Sequence, residues 1–273
     1  MTRGVLMDVD RVLELERAAN RLRLRGVHMV APHGFGYLGQ VLSSAELMAV
    51  LFGGAYRPEI DEFVVSPGHY VIVAYAAGLE VGLLSEEDLA TYGQDDSCLE
   101  AIGTESSPVV DVTGGSLGQG LSSAVGLALA AQLRADTDTN VFALLSDGEL
   151  EEGQVWEAAM FAAHRGFANL VVLLDANDSQ VDGPVSSITT LEPIAAKWES
   201  FGWAAYDVDG HDVAALDSAL RDAVAQARPS IVIARTSTGH GLACLPAGAD
   251  GHFIKISGEL VEAAVAELEA RLA

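Results

Sequence analysis

The chain has 273 residues with 39 acidic against 15 basic side chains, a formal net charge of −24, which argues against nucleic acid or an anionic membrane as a partner. Half of the residues are apolar, enough for a substantial core, yet no run approaches the roughly eighteen apolar residues of a bilayer span and the start lacks a signal peptide's apolar segment. Only Cys98 and Cys244 are present, far apart, so neither a disulfide framework nor a zinc site is indicated, and a soluble, cytoplasmic protein of one domain, residues 1–273, is expected.

In chain order, the spacing of Leu13, Arg17, Asn20 and Leu24 predicts a helix over about 9–29. Arg3, Arg11, Arg17, Arg21, Arg23 and Arg25 fall in or before it; they read as a solvated helix face or as a contact with an acidic partner surface. A glycine loop, Gly34 to Gly39, follows, and Ser43-Ser44 offers an N-cap for a helix with Glu46 in its first turn and Leu47, Val50 and Leu51 as its apolar face. Apolar segments near 63–65, 141–145, 170–174, 204–208 and 231–234 read as strands, with helices at about 117–133, 153–164, 212–226 and 258–271. Their alternation predicts an α/β fold with a parallel sheet flanked by helices. The stretch from about 92 to 112 reads as a long loop, a type that is often functional.

The most informative run is Leu145-Ser-Asp147-Gly148-Glu149-Leu-Glu-Glu152-Gly153. A buried strand precedes it and a helix follows, so Asp147 falls on a strand-to-helix turn, where free N–H groups can hold a phosphate. Asn177 ends the next strand, which would bring both oxygen-bearing side chains to one carboxyl edge of the sheet. Two such ligands plus phosphate oxygens suit Mg²⁺, which takes few side chains from a protein. Alone, Asp147-Gly148 is equally an ordinary turn.

Other candidates are weaker singly. The loop Gly114-Gly115-Ser116-Leu117-Gly118-Gln119-Gly120 precedes a helix and would let backbone approach a ligand, or serve as a tight packing turn. His69 ends a strand after Ser66-Pro67-Gly68, and His252 sits in a polar loop; near neutral pH an imidazole can bind a diphosphate or move a proton. Gly34-Phe-Gly36-Tyr37-Leu-Gly39 with Asp61 has dinucleotide-loop spacing, but a long amphipathic segment precedes it where that fold needs a short strand.

The run from Asp147 to Gly153, then Trp156-Glu157-Ala158, Asn177 and Val181-Asp182-Gly183 resembles the thiamine diphosphate motif of transketolases, with Ser146 where most members have glycine. Segments 36–46, Phe63 to His69, Thr113 to Gly120, Ile231 to Gly241 and Gly251-His252-Phe253 resemble further family motifs in the same order. The resemblance implies thiamine diphosphate and Mg²⁺ as cofactors, with Asp147, Asn177 and the main-chain carbonyl of Ser179 on the metal. It also implies Gly148, Glu149 and His69 at the diphosphate end, Gly115 and Leu117 flanking the thiamine, and His252 at the reacting end. Glu152 matches a glutamate at the subunit interface.

Tyr37 stands where most members carry a substrate-facing histidine, and Gly103-Thr104-Glu105 where they carry Gly-His-Pro. Substrate preference is therefore open, with His33, Tyr37 and Thr104 as candidate contacts for a small-molecule substrate. The pattern is similar to the first subunit of split transketolases. It implies a second subunit bearing the pyrimidine-binding and C-terminal modules, a heterotetramer with two copies of each chain, and two-carbon ketol transfer from a ketose to an aldehyde. The alternatives are a thiamine diphosphate-dependent decarboxylase or ketol synthase acting on a 2-oxo acid, and a non-catalytic paralogue.

Overall fold

The computed structural model describes residues 9–273; Arg3 lies outside the described residues. Helix α1 (Val9–Val30) leads to β1 (Phe35–Gly36), α2 (Leu38–Val50), β2 (Glu62–Val65), α3 (Val71–Glu80), α4 (Glu86–Leu89) and β3 (Val112–Thr113). Next come α5 (Gly120–Leu133), β4 (Val141–Ser146), α6 (Gly153–Arg165), β5 (Leu170–Ala176), α7 (Val185–Ile188) and α8 (Ile194–Ser200). The remaining elements are β6 (Ala204–Asp209), α9 (Val213–Val224), β7 (Ser230–Arg235), β8 (Ile254–Lys255) and α10 (Glu259–Leu272).

Six strands form one parallel sheet in the order β3-β2-β4-β5-β7-β6, and β1 pairs antiparallel with β8 at one side. Every residue of β4 and β5 is buried, as a parallel sheet covered on both faces requires. Alternate residues feed two cores. Phe142, Leu144, Val171 and Leu173 pack with α1, α2, α3, α9 and α10, while Ala143, Leu145, Val172 and Leu174 pack with α5, α6 and α8, the period-two division of a pleated strand. From β2 the chain moves outward to β3, and from β4 the opposite way to β5. The carboxyl ends of β2 and β4 thus flank a topological switch point, where open α/β sheets bind ligands.

Helix α2 is buried along its entire length. The segment Leu38–Ala55 is long and apolar enough by composition to cross a bilayer, but 83% of it is buried inside this fold. It begins at Leu38, so Ser43 and Ser44 are not its N-cap: the Ser44 hydroxyl donates back to the Gln40 carbonyl one turn earlier, an alternative use of helical serine, and the Ser43 hydroxyl, 3.3 Å from that carbonyl, donates to Asp175 at 2.6 Å.

Among the described N-terminal arginines, four are paired within the chain and do not form a solvated face. Arg11 pairs with Asp217, Arg21 with Glu14 and Glu80, and Arg25 with Glu80; only Arg17 stays exposed. Arg23 is buried and donates to Glu46 and to the Leu42 carbonyl. Burial pushes the Glu46 carboxyl up, but the His211 hydrogen bond and the Arg23 guanidinium outweigh it and hold Glu46 below the usual carboxylate range.

Removing one partner of a buried pair costs about 3–5 kcal/mol, so Glu46→Gln is expected to lower the urea midpoint accordingly. A carboxyl held low contributes its stability above the ordinary carboxylate range and loses it as pH falls further, so the gap between wild type and variant should close toward acid. Equal stability at neutral pH would show that the Arg23–Glu46 pair does not hold α1 to α2.

Candidate active site

The register of β4 on β5 sets Ser146 opposite Asp175, and the Asp147 N–H donates to the Asp175 carbonyl at 3.1 Å. Asp147 and Asn177 therefore leave adjacent strands at the same edge, as the sequence predicts. The Asp147 carboxylate accepts from the Gly148 N–H at 2.9 Å and the Asp178 N–H at 2.6 Å. Asn177 Oδ1 accepts from the Ser179 N–H at 2.9 Å. Beyond them lies an open cleft of about 530 Å³ between the 177–184 turn, which includes Ser179 and Gly183, and a loop bearing Thr238, Asp250 and Gly251.

The charge at this edge is uncompensated. Burial and the neighbouring Asp175 push the Asp147 carboxyl up to about 7, against the pull of its two backbone N–H donors. No arginine or lysine among the described residues pairs with Asp147 or Asp175. Oxygen donors on a buried carboxylate and an amide, with no ion pair to a basic side chain among the described residues, fit a divalent cation that would supply the missing positive charge. Gly148 has its N–H on Asp147 itself, beside the same edge.

Glu149 has a different place from the one expected. It has no exposed surface, and its carboxylate accepts from Ser66 Oγ, the Gly118 N–H and the Ser146 N–H, so it has no face to offer a cofactor. Burial, its largest influence, raises its carboxyl to about 7 despite these donors. It stitches the ends of β2 and β4 to the glycine-rich loop. In that loop Gly118 has φ +82°, a left-handed conformation that glycine adopts without strain. The Gly118 and Gly120 N–H groups are taken by Glu149 and Ser66, whereas Gly115 and Leu117 are exposed. The loop thus presents surface for flat contact and does not cradle phosphate at those two amides.

Glu152 is exposed at the start of α6, close enough that a Cβ on Gly118 would lie 2.6 Å from its own. That placement leaves it free to face another chain.

The rings of Tyr37, His69 and His252 come together, with centroids 5.1 Å apart for Tyr37–His69 and His69–His252 and 5.9 Å for Tyr37–His252. Phe253 packs against Tyr37. Burial first, then the neighbouring His252, brings His69 down to about 3, and burial lowers His252 as well. Both imidazoles are neutral at physiological pH in this state, each with one N–H to donate. Gln40 Nε2 donates to the His252 carbonyl at 3.2 Å and lies 3.3 Å from its Nδ1.

His33 is turned elsewhere, with Nε2 2.8 Å from the Tyr92 carbonyl and its ring against Gly93. This candidate substrate contact is therefore turned toward Tyr92 and away from the Tyr37, His69 and His252 cluster. Thr104 caps a turn through Ser106 and Ser107, and its neighbour Gly103 donates to the Gly68 carbonyl at 2.9 Å, which ties that loop to the His69 turn.

The glycine loop at 34–39 is no dinucleotide loop. Helix α1 precedes it, and Asp61 is held by Arg57 and Asn140. Its last glycine has a steric purpose: a Cβ on Gly39 would fall 1.8 Å from the Gly251 carbonyl oxygen. Gly39→Ala is therefore expected to push the 251–253 loop off α2 by more than an ångström. The His252 imidazole resonances report this by NMR, and unmoved resonances would show that the loop does not rest there.

The sequence left Asp175, Tyr70, Thr236 and Gln40 without a role and offered Ser43 only as an N-cap, although all bond at or behind this site. Asp175 carried the one visible signal, a charge inside an otherwise apolar strand.

The transketolase thiamine diphosphate binding domain family matches residues 15–271. A transketolase family protein of Sinorhizobium fredii is 39% identical over 255 residues, 89% of this chain and 91% of that relative. A 6-deoxy-6-sulfo-D-fructose transketolase subunit of a Clostridium species is 36% identical over 95% of this chain and 98% of its own length. Among solved structures, transketolase from Campylobacter jejuni superposes with a TM-score of 0.85 at 27% identity, covering 96% of this chain but 43% of that one. With ordered motifs, sheet topology and relatives in agreement, the chain belongs to the transketolase family and carries its thiamine diphosphate binding domain.

Proposed function

We propose that this chain is the diphosphate- and Mg²⁺-binding subunit of a two-component transketolase-like enzyme that moves a two-carbon ketol unit from a ketose to an aldehyde. The observation that carries this reading is the Asp147/Asn177 edge, where a buried carboxylate without an ion-pair partner stands beside an asparagine that borders an open cleft. Asp147, Asn177 and the Ser179 carbonyl would hold Mg²⁺, with the diphosphate reaching His69 and, once it turns from Asp147, the Gly148 N–H. When bound, thiamine diphosphate supplies the nucleophilic carbon and the electron sink for breaking and making the C–C bond.

The chain's own residues bind, orient and exclude water. Neutral His69 donates one N–H toward the diphosphate end, and His252, steadied by Gln40, holds or moves a proton at the reacting end. Gly115 and Leu117 flank the thiamine as exposed surface. Glu152 faces the partner. A relative named as a transketolase subunit, matched over 98% of its length, supports a separate second chain with the pyrimidine-binding and C-terminal modules, in a heterotetramer. The sulfonated ketose in that relative's name makes an atypical ketose donor the first to try.

Tyr37 and Thr104 set substrate choice in this reading. Tyr37 closes one side of the histidine cluster without touching the Asp147/Asn177 edge, so returning histidine at both positions should reorder kcat/KM among donors. Thiamine diphosphate affinity should stay within about threefold, because losses confined to substrate contacts appear in discrimination. The test is a panel of ketoses and 2-oxo acids assayed with the partner present. An unchanged donor ranking would remove Tyr37 from the substrate site, and turnover of 2-oxo acids alone would replace ketol transfer with decarboxylation.

A further inference from the structure

We propose that Asp175 is a positioning residue that fixes which end of the Asn177 amide faces the cation. The inference rests on the reading of Asp147 and Asn177 as the metal ligands and goes one step behind it. Asp175 is completely buried, and its carboxylate only accepts. Its Oδ2 takes Ser43 Oγ at 2.6 Å, Tyr70 OH at 2.8 Å and Asn177 Nδ2 at 2.8 Å, while Oδ1 takes Thr236 Oγ1.

An amide carries two N–H donors on nitrogen and none on oxygen. Asn177 spends its donors on Asp175 and, at 2.9 Å, on the Tyr70 oxygen. A flipped amide would turn its oxygen against the Asp175 carboxylate, oxygen to oxygen with no proton between them, and leave nitrogen facing the cleft. A nitrogen bearing two protons cannot ligate Mg²⁺. The carboxylate therefore selects the rotamer in which Oδ1 points to the cleft, where it takes the Ser179 N–H and keeps a lone pair for the metal. Residues behind a metal ligand act in this way elsewhere, by fixing its orientation.

Because Ser43 lies on α2 and Thr236 follows β7, Asp175 also anchors the rotamer to two elements outside the ligand strand. Gln40, one turn earlier on α2, holds His252. One helix thereby sets both the metal end and the reacting end.

The test exploits the fact that a carboxylate needs no such selection, since both its ends are oxygen. Mn²⁺ is titrated in the presence of thiamine diphosphate, with free Mn²⁺ read by electron paramagnetic resonance and folding checked by circular dichroism. Asp175→Ala is expected to weaken Mn²⁺ binding by at least about tenfold. Adding Asn177→Asp should return it to within about threefold of wild type, because Tyr70 and Ser43, 2.9 and 3.4 Å from the residue 177 nitrogen, can donate to the new carboxylate. A double variant no tighter than Asp175→Ala would overturn the proposal, since a merely structural aspartate would not be replaced by a carboxylate at another position.

Should Asp175→Ala not fold, Asp175→Asn decides. Its amide oxygen can still accept from Asn177, so Mn²⁺ affinity within about threefold supports the positioning role, and a tenfold loss overturns it. Asn177→Ala separates the two levels: if it keeps wild-type Mn²⁺ affinity, the ligand assignment itself fails, whereas loss in Asn177→Ala with no loss in Asp175→Ala sinks only the role of Asp175.

Discussion

Asp147→Ala is expected to abolish Mg²⁺-dependent binding of thiamine diphosphate to this chain. Mg²⁺ keeps most of its waters and takes one or two protein carboxylates, and Asp147 is the one ionised side chain proposed for that shell. Its loss should exceed the roughly 10- to 100-fold effect typical of residues that only support a ligand. Melting of the protein without cation should change little. The variant gives up two accepted N–H bonds, but it also relieves a carboxylate buried beside Asp175 without an ion-pair partner. Calorimetric titration of thiamine diphosphate with and without Mg²⁺ reads both arms. Near-normal, cation-dependent affinity in Asp147→Ala would remove this residue from the site.

The sheet was legible because its strands are buried on both faces and read as short apolar runs: those ending at Leu145 and Leu174 extend only one or two residues further. α3 was not legible. Eight of its residues, Val71 to Gly78, are buried in succession, so it shows no apolar and polar faces, and helical periodicity is a signal only where one side meets water. The same burial hid the start of α2, where the serines that would cap a surface helix instead bond to Asp175 and back to Gln40. On α1 the buried positions include Leu15, Ala18, Ala19, Leu22 and Val27, whereas Leu13 is 49% exposed. Small alanines carried the true face and arginines masked it.

The metal edge was legible for a different reason. Oxygen-bearing residues just beyond two apolar strands need no tertiary information to share an edge once the strands are parallel neighbours. The residues behind that edge come from α2, from the turn after β2 and from beyond β7, and nothing in local sequence pairs Ser43 with an aspartate 132 positions away. Glu149 was misplaced for a related cause. It lies in the middle of the diphosphate run, yet the tight turn after Asp147 drives its side chain inward beneath Gly118.

In the proposed function this chain completes an active site only with a second polypeptide. The residues proposed for the diphosphate and the metal are all in this chain, but the cleft beside Asn177 is open. Leu117 before α5 and Met160 and Phe161 on α6 are large apolar side chains exposed at 38%, 49% and 43%. The chain spans 43% of the transketolase structure it superposes on. The decisive measurement is ketol transfer by the purified chain, by a separate polypeptide bearing the pyrimidine-binding and C-terminal transketolase modules, and by their mixture, each with thiamine diphosphate and Mg²⁺. Turnover should appear only in the mixture and rise to a plateau at equal amounts of the two chains; comparable turnover by this chain alone would contradict the account.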